Sequence, residues 1–205
     1  MFRIKICGIT NESDALHAVA CGADALGFVF FAGSPRCVEP DLVRTIIDKI
    51  PDGVTTVGLF VNEAPEIVNQ VASQSGISLV QLHGDETPDI CQQIDLPVMK
   101  AIRVRDAESL AGWREYPVEA LLLDAWHPEK FGGTGEACDW ELAADLAQKT
   151  KIILAGGLKP DNVAEAVKIV KPHGVDISSG VEQSPGQKDQ EKVSAFIRNA
   201  RESFK

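Results

Sequence analysis

Short apolar runs rich in β-branched residues recur along the chain at positions 3–7, 25–30, 55–61, 78–83, 98–104, 120–124, 152–155 and 175–178. Each has strand length and lies beside glycine, proline or polar turn residues, which predicts a strand. Between the runs the apolar positions take helical spacing. These segments predict helices over 11–21, 39–50, 64–75, 87–93, 107–115, 140–148, 160–170 and 189–203. Local signals mark several ends: Thr10 or Asn11 caps the first helix and Gly22 closes it, Gly76 closes the third, Asp139 caps the sixth, and Pro160 opens the seventh.

Eight strands alternating with eight helices allow an open doubly wound sheet or a closed barrel. No G-x-G-x-x-G follows the first strand, and the strand–helix unit repeats without a large insertion. The expectation is an α/β protein, a (β/α)8 TIM barrel in one domain over residues 1–205, with short loops because the length is near the lower limit for that fold.

Composition narrows the partners. Apolar content of 44% and charged content of 24% are ordinary for a globular chain. A net charge of −10 argues against nucleic acid or an anionic membrane surface. It leaves room for a phosphate, because backbone N–H groups form local positive sites. The five cysteines (Cys7, Cys21, Cys37, Cys91, Cys138) are odd in number, widely spaced and free of C-x-x-C, which fits free thiols in a reducing compartment. With no charged-then-apolar leader after Met1 and no run of ~20 apolar residues, the expected location is the cytoplasm, with no membrane partner.

In (β/α)8 barrels the site is built at the C-terminal ends of the strands. Strand one delivers Cys7, followed by Gly8. A free cysteine is often a packed core thiol, but this one ends a strand and faces Asp124 across the proposed barrel. Lys5 shares its parity one layer lower, where a buried ammonium needs an anionic partner and helps hold a thiolate. A Schiff-base role for Lys5 is the alternative. Asp124 closes the run Leu121-Leu122-Leu123, a setting that disfavours charge on a carboxyl and suits a general acid. The dull reading is a carboxylate capping the next loop. Gly156-Gly157 after strand seven and Ser179-Gly180 after strand eight occupy the two loops where barrels commonly hold phosphate. Arg36 follows strand two, where a loop arginine is usually a surface residue but its fork of donors also suits a carboxylate. Strand four delivers Gln81 and His83, and strand eight delivers Asp176. No His/Asp/Glu cluster has metal-ligand spacing, so no metal is expected.

Together these motifs form a pattern. Lys5-Ile-Cys-Gly-Ile-Thr10, Gly33-Ser-Pro-Arg36, Gln81-Leu-His-Gly84, Leu123-Asp124, Gly132-Gly-Thr-Gly135 with Asp139-Trp140, Ala155-Gly-Gly-Leu158 and Val175-Asp-Ile-Ser-Ser-Gly-Val-Glu182 with Pro185-Gly186 and Lys188-Asp189 resemble the phosphoribosylanthranilate isomerase family from the first strand to the last helix. The resemblance implies an Amadori rearrangement in tryptophan biosynthesis, without an external cofactor, on a small phosphosugar substrate. It implies Asp124 as the acid and Cys7 as the base. Arg36 would lie near the anthranilate moiety, with His83 and Asp176 close to the substrate, and Gly156, Gly157, Ser179 and Gly180 would cradle the phosphate. Family members occur as monomers and homodimers. Ala125 to Phe131 matches no family motif, and Cys138 stands where an aromatic is expected. Trp126 is expected to pack over the mouth of the site, and Gly132–Gly135 reads as a covering loop or a flexible turn.

Three rivals remain at this stage. One is the sugar isomerase of histidine biosynthesis, which looks to a pair of aspartates where strand one here offers Cys7. The second is a Schiff-base aldolase using Lys5 or Lys100. The third is a phosphate-ligand binder without turnover.

Overall fold

A computed structural model of the chain describes residues 2–126 and 139–205. Eight parallel strands form a closed barrel: β1 (Ile4–Cys7), β2 (Ala25–Val29), β3 (Thr55–Phe60), β4 (Leu79–Leu82), β5 (Val98–Val104), β6 (Ala120–Ala125), β7 (Ile152–Leu154) and β8 (Gly174–Ile177). Each pairs with the next, and β8 returns to β1 with Lys5 opposite Asp176. The helices are α1 (Glu12–Ala20), α2 (Pro40–Ile47), α3 (Pro65–Ser75), α4 (Pro88–Cys91), α5 (Trp140–Ala147), α6 (Val163–Val170) and α7 (Gln190–Ser203).

The strand alternation sorts two cores. Outward residues such as Ile4, Leu26, Val80, Leu121 and Val175 meet the apolar faces of the helices in one continuous shell. Inward residues fill the ring, with Phe2, Ala25, Val57, Met99, Leu122 and Ile153 packed together toward the N-terminal end. Above them the interior turns polar. Lys5 and Gln81 have no exposed surface, and Asp124, Asp176 and His83 have little. The apolar floor excludes water from below, so the polar groups open only toward the C-terminal mouth.

Helix starts follow local chemistry. Asn11 caps α1 by accepting from the Asp14 N–H, and Asp139 and Asp189 cap α5 and α7 in the same way. Proline stands in the first turn of α2, α3 and α4.

Three expectations change. The helix predicted over 107–115 is two 3-10 turns, Glu108–Leu110 and Trp113–Glu115, separated by Gly112 at φ +75°. Asp106 and Ser109 bond each other's backbone, which holds a turn in place of a helix start. The seventh predicted helix begins at Val163 rather than at Pro160, because Asn162 accepts from the Lys159 N–H and donates to the Gly157 carbonyl, fixing 159–162 as a turn. A short antiparallel hairpin, β9 (Glu182–Ser184) with β10 (Gln187–Lys188), follows β8 and was not foreseen.

Candidate active site

Cys7 is the last residue of β1 and is buried, with its thiol above Lys5. In register beside it on β2 is Gly27. A Cβ there would lie 2.7 Å from the Cys7 sulfur and 3.0 Å from Lys5 Nζ, so only glycine leaves room for both groups. Lys5 Nζ lies 3.0 Å from Asp176 Oδ1. Burial disfavours charge on Lys5, but the Asp176 carboxylate and the Cys7 sulfur outweigh it, so its pKa is raised and the ammonium is kept. For Cys7, burial pushes the thiol pKa up, and the attraction of Lys5 reverses only part of that rise. The site therefore holds a thiol beside a fixed cation.

Asp124, near the end of β6, accepts from the Ala125 N–H at 2.9 Å through Oδ1. Its Oδ2 lies 3.2 Å from His83 Nε2, and His83 Nδ1 lies 2.7 Å from Gln81 Nε2. In this arrangement the Gln81 amide donates to Nδ1, and Nε2–H donates to Asp124. His83 sits one residue beyond β4, on the same inward parity as Gln81. Gly156 has φ +73°, and a Cβ there would lie 3.0 Å from Asp124 Oδ1. The β7 loop thus closes directly against the acid.

Arg36 is not a free surface arginine. Its Nε and Nη2 donate to Glu182 Oε1 and Oε2 at 2.8 and 2.7 Å. Its aliphatic stem crosses Gly8, where a Cβ would lie 2.6 Å from Arg36 Cδ. Lys188 Nζ holds Glu182 from the other side at 2.9 Å. Burial works against the Glu182 charge, yet Arg36 and Lys188 prevail and keep its carboxyl below the usual range. The hairpin thus fixes the guanidinium over the end of β1. Sequence reasoning missed Glu182 and Lys188 as the holders of Arg36, and Gly27 as the space beside Cys7. A glycine in the middle of an apolar strand was the available signal for Gly27.

Gly156 and Gly157 both take left-handed φ, and Ser179–Val181 forms a 3-10 turn after β8. The N–H groups of Gly156, Gly157, Ser179 and Gly180 have no acceptor among the described residues. Gly180 packs against the Leu158 carbonyl, so the two loops adjoin. Of the nine residues expected to act on or bind the substrate, eight lie at the C-terminal ends of the strands or in the loops that follow, and Asp176 lies one layer lower, opposite Lys5. Trp126, just past β6, is partly exposed, with the Arg105 guanidinium 5.7 Å from its ring centre. The Gly132–Gly135 loop and Cys138 lie outside the described residues.

Lys100 lies on the outer face of β5. It donates to the Leu82, Gly84 and Ala101 carbonyls and to Glu86 Oε2. An amine committed to four acceptors is not a nucleophile, and Lys5 is held as an ammonium, which leaves the Schiff-base reading without a free amine.

Fold and site together define a (β/α)8-barrel protein equipped for acid–base chemistry on an anionic ligand. The chain belongs to the N-(5'-phosphoribosyl)anthranilate isomerase family, whose model matches residues 4–199. A relative from Trichlorobacter lovleyi named N-(5'-phosphoribosyl)anthranilate isomerase is 55% identical over 205 residues, 100% of both chains. The phosphoribosyl anthranilate isomerase crystal structure from Thermotoga maritima superposes with a TM-score of 0.90 at 42% identity, covering 98% of this chain and 100% of that one. A further structure of such an isomerase, in complex with reduced 1-(o-carboxyphenylamino)-1-deoxyribulose 5-phosphate, superposes with a TM-score of 0.87 at 40% identity, again covering 98% and 100%. Among the described residues no helix is long and apolar enough to cross a membrane.

Proposed function

We propose that this barrel converts N-(5'-phosphoribosyl)anthranilate into 1-(2-carboxyphenylamino)-1-deoxyribulose 5-phosphate, the aldose-to-ketose step of tryptophan biosynthesis, with Asp124 as general acid and Cys7 as general base. Asp124 gives a proton to the furanose ring oxygen as the ring opens to a Schiff base. Cys7 removes the C2' proton to give an enolamine, which tautomerises to the ketone. No external oxidant is needed, because the aldose carbon is reduced as C2' is oxidised.

The observation that carries this reading is the order of groups around the ring. Cys7 ends β1 and Asp124 lies near the end of β6, while the loops after β7 and β8, with their unbonded N–H groups, lie between them. A phosphate bound by Gly156, Gly157, Ser179 and Gly180 anchors one end of the ligand between acid and base. Arg36, held by Glu182, meets the anthranilate carboxylate at the other. His83 and Asp176 border the sugar, and Lys5 stabilises the thiolate when Cys7 loses its proton. One domain carries the whole reaction, as a monomer or a homodimer.

The test is turnover of freshly prepared phosphoribosylanthranilate, followed by loss of its fluorescence. Wild type turns over, and Cys7→Ser and Asp124→Asn each lose at least ~100-fold in kcat while still binding product. Because burial raises the Cys7 pKa, kcat/KM rises with pH from the neutral range as the thiol ionises. A folded wild type that binds product without turnover makes this a binding protein. Activity that survives Cys7→Ser places the base elsewhere.

A further inference from the structure

To act as a general acid, Asp124 must carry a proton before the substrate ring opens. Its contact to His83 Nε2 at 3.2 Å is compatible with either partner as donor, and the choice depends on which ring nitrogen carries hydrogen. Gln81 touches the other nitrogen at 2.7 Å. With its N–H turned to Nδ1, the ring proton sits on Nε2 and points at a carboxylate. With its carbonyl turned to Nδ1, the ring proton sits on Nδ1, and Nε2 becomes an acceptor for a proton on Asp124 Oδ2. A primary amide exchanges these faces by a half turn that leaves its atoms in nearly the same places.

Nothing else orients that amide. Gln81 is fully buried, and its Oε1 has no hydrogen-bond partner among the described residues. A buried carbonyl without a donor is disfavoured, and here it lies at the base of a chain that ends on the acid. Turning the carbonyl to Nδ1 gives Oε1 the ring N–H as a donor, which the opposite orientation of the amide denies it.

We propose that Gln81 is a positioning residue that loads the acid: its carbonyl fixes His83 as the Nδ1–H tautomer, so that Nε2 accepts from, and holds, a protonated Asp124. This rests on Asp124 being the general acid. The loaded pair carries two protons, one on Nδ1 and one on Oδ2. The Oδ2 proton goes to the substrate ring oxygen, which leaves a carboxylate on Asp124 beside the Nδ1–H ring, and the proton released by the C2' hydroxyl during tautomerisation returns to Oδ2 and restores the pair.

Other charged groups share this interior. Lys5 and Cys7 face it from β1, Asp176 from β8, and Arg103 from β5, in register with Asp124 and ion-paired with Asp85. β2 and β3 bring Gly27, Val29 and Leu59, and Ala155 follows β7; none of these titrates. The charged groups are common to every variant compared, so differences between Gln81 variants isolate the relay.

The experiment is 15N NMR of histidine-labelled, unliganded enzyme at the pH of full activity, together with pH–rate profiles of wild type, Gln81→Met and Gln81→Glu. Wild type shows hydrogen on His83 Nδ1 and a bare Nε2. Gln81→Met, which offers no acceptor, moves the ring hydrogen to Nε2, lowers kcat by about 10- to 100-fold with KM within about twofold, and shifts the alkaline limb of the profile to lower pH. Gln81→Glu, an obligate acceptor, keeps Nδ1–H and moves that limb to higher pH. A structural defect alone would not move the limb in opposite directions. Hydrogen on Nε2 in the wild type, or the same tautomer in wild type and Gln81→Met, overturns the proposal. The tautomer is read without substrate, so it decides the role of Gln81 whether or not Asp124→Asn abolishes turnover.

Discussion

Two buried lysine–carboxylate pairs lie on opposite sides of the same sheet. Lys100 and Glu86 meet at 3.0 Å outside the barrel, and Lys5 and Asp176 meet at the same distance inside it. The outer pair is saturated. Lys100 also reaches three carbonyls, and Glu86 accepts from the Asn62 and Gly84 N–H groups. It ties the β4 loop, with His83 at its start, to β5. The inner pair is open. Lys5 has Asp176 as its ion-pair partner and the Cys7 thiol above it, on the side of the C-terminal mouth. A buried charge with every bond made holds structure, whereas one with donors to spare is available to a ligand or to a developing charge.

Breaking the outer pair gives the largest effect on stability. Lys100→Met leaves the Glu86 carboxylate buried and unpaired, and chemical denaturation should show a loss of about 3–5 kcal/mol. The kcat of the molecules that remain folded stays near wild type. Breaking the inner pair separates the two roles. Lys5→Met also destabilises, but it removes the cation beside Cys7, so kcat falls by about 100-fold even in stabilising conditions. The alkaline rise in its pH–rate profile moves upward, since the thiol then ionises without help. If both variants lose activity only in proportion to folded protein, the distinction between the pairs fails.

The smallest effect concerns a third ion pair, at the mouth. Glu182→Gln loosens Arg36 without removing it. KM for phosphoribosylanthranilate should rise about tenfold, the ~1.5 kcal/mol of one charge-assisted hydrogen bond, with kcat little changed. The sign of its pH dependence follows from the lowered Glu182 pKa. The clamp contributes fully above the ordinary carboxylate range and is lost as pH falls through the folded value, so acid should loosen wild type toward the variant.

The sequence carried the barrel because strand parity and glycine or proline boundaries are local signals, and because Cys7, Asp124 and the glycine pairs stand at strand ends. What it did not carry is pairing at a distance. Arg36 and Glu182 are 146 positions apart, and the hairpin that joins them has strands of three and two residues, too short to show a period. Lys100 entered the sequence reading only as a possible Schiff-base amine, and the fold alone shows that it faces outward to Glu86. The segment at 107–115 had helical composition, and one left-handed glycine together with a side-chain turn overrode it.

The seam between β8 and β1 has a consequence for how the enzyme is made. Lys5 and Asp176 are 171 positions apart, so the lysine of the first strand leaves the ribosome long before the anion that answers it. Until then a nascent barrel holds a cation with nowhere dry to go and a ring that cannot close. Proton transfer by this protein is therefore also a report that translation passed the eighth barrel strand, and products that stop short of it are silent by construction.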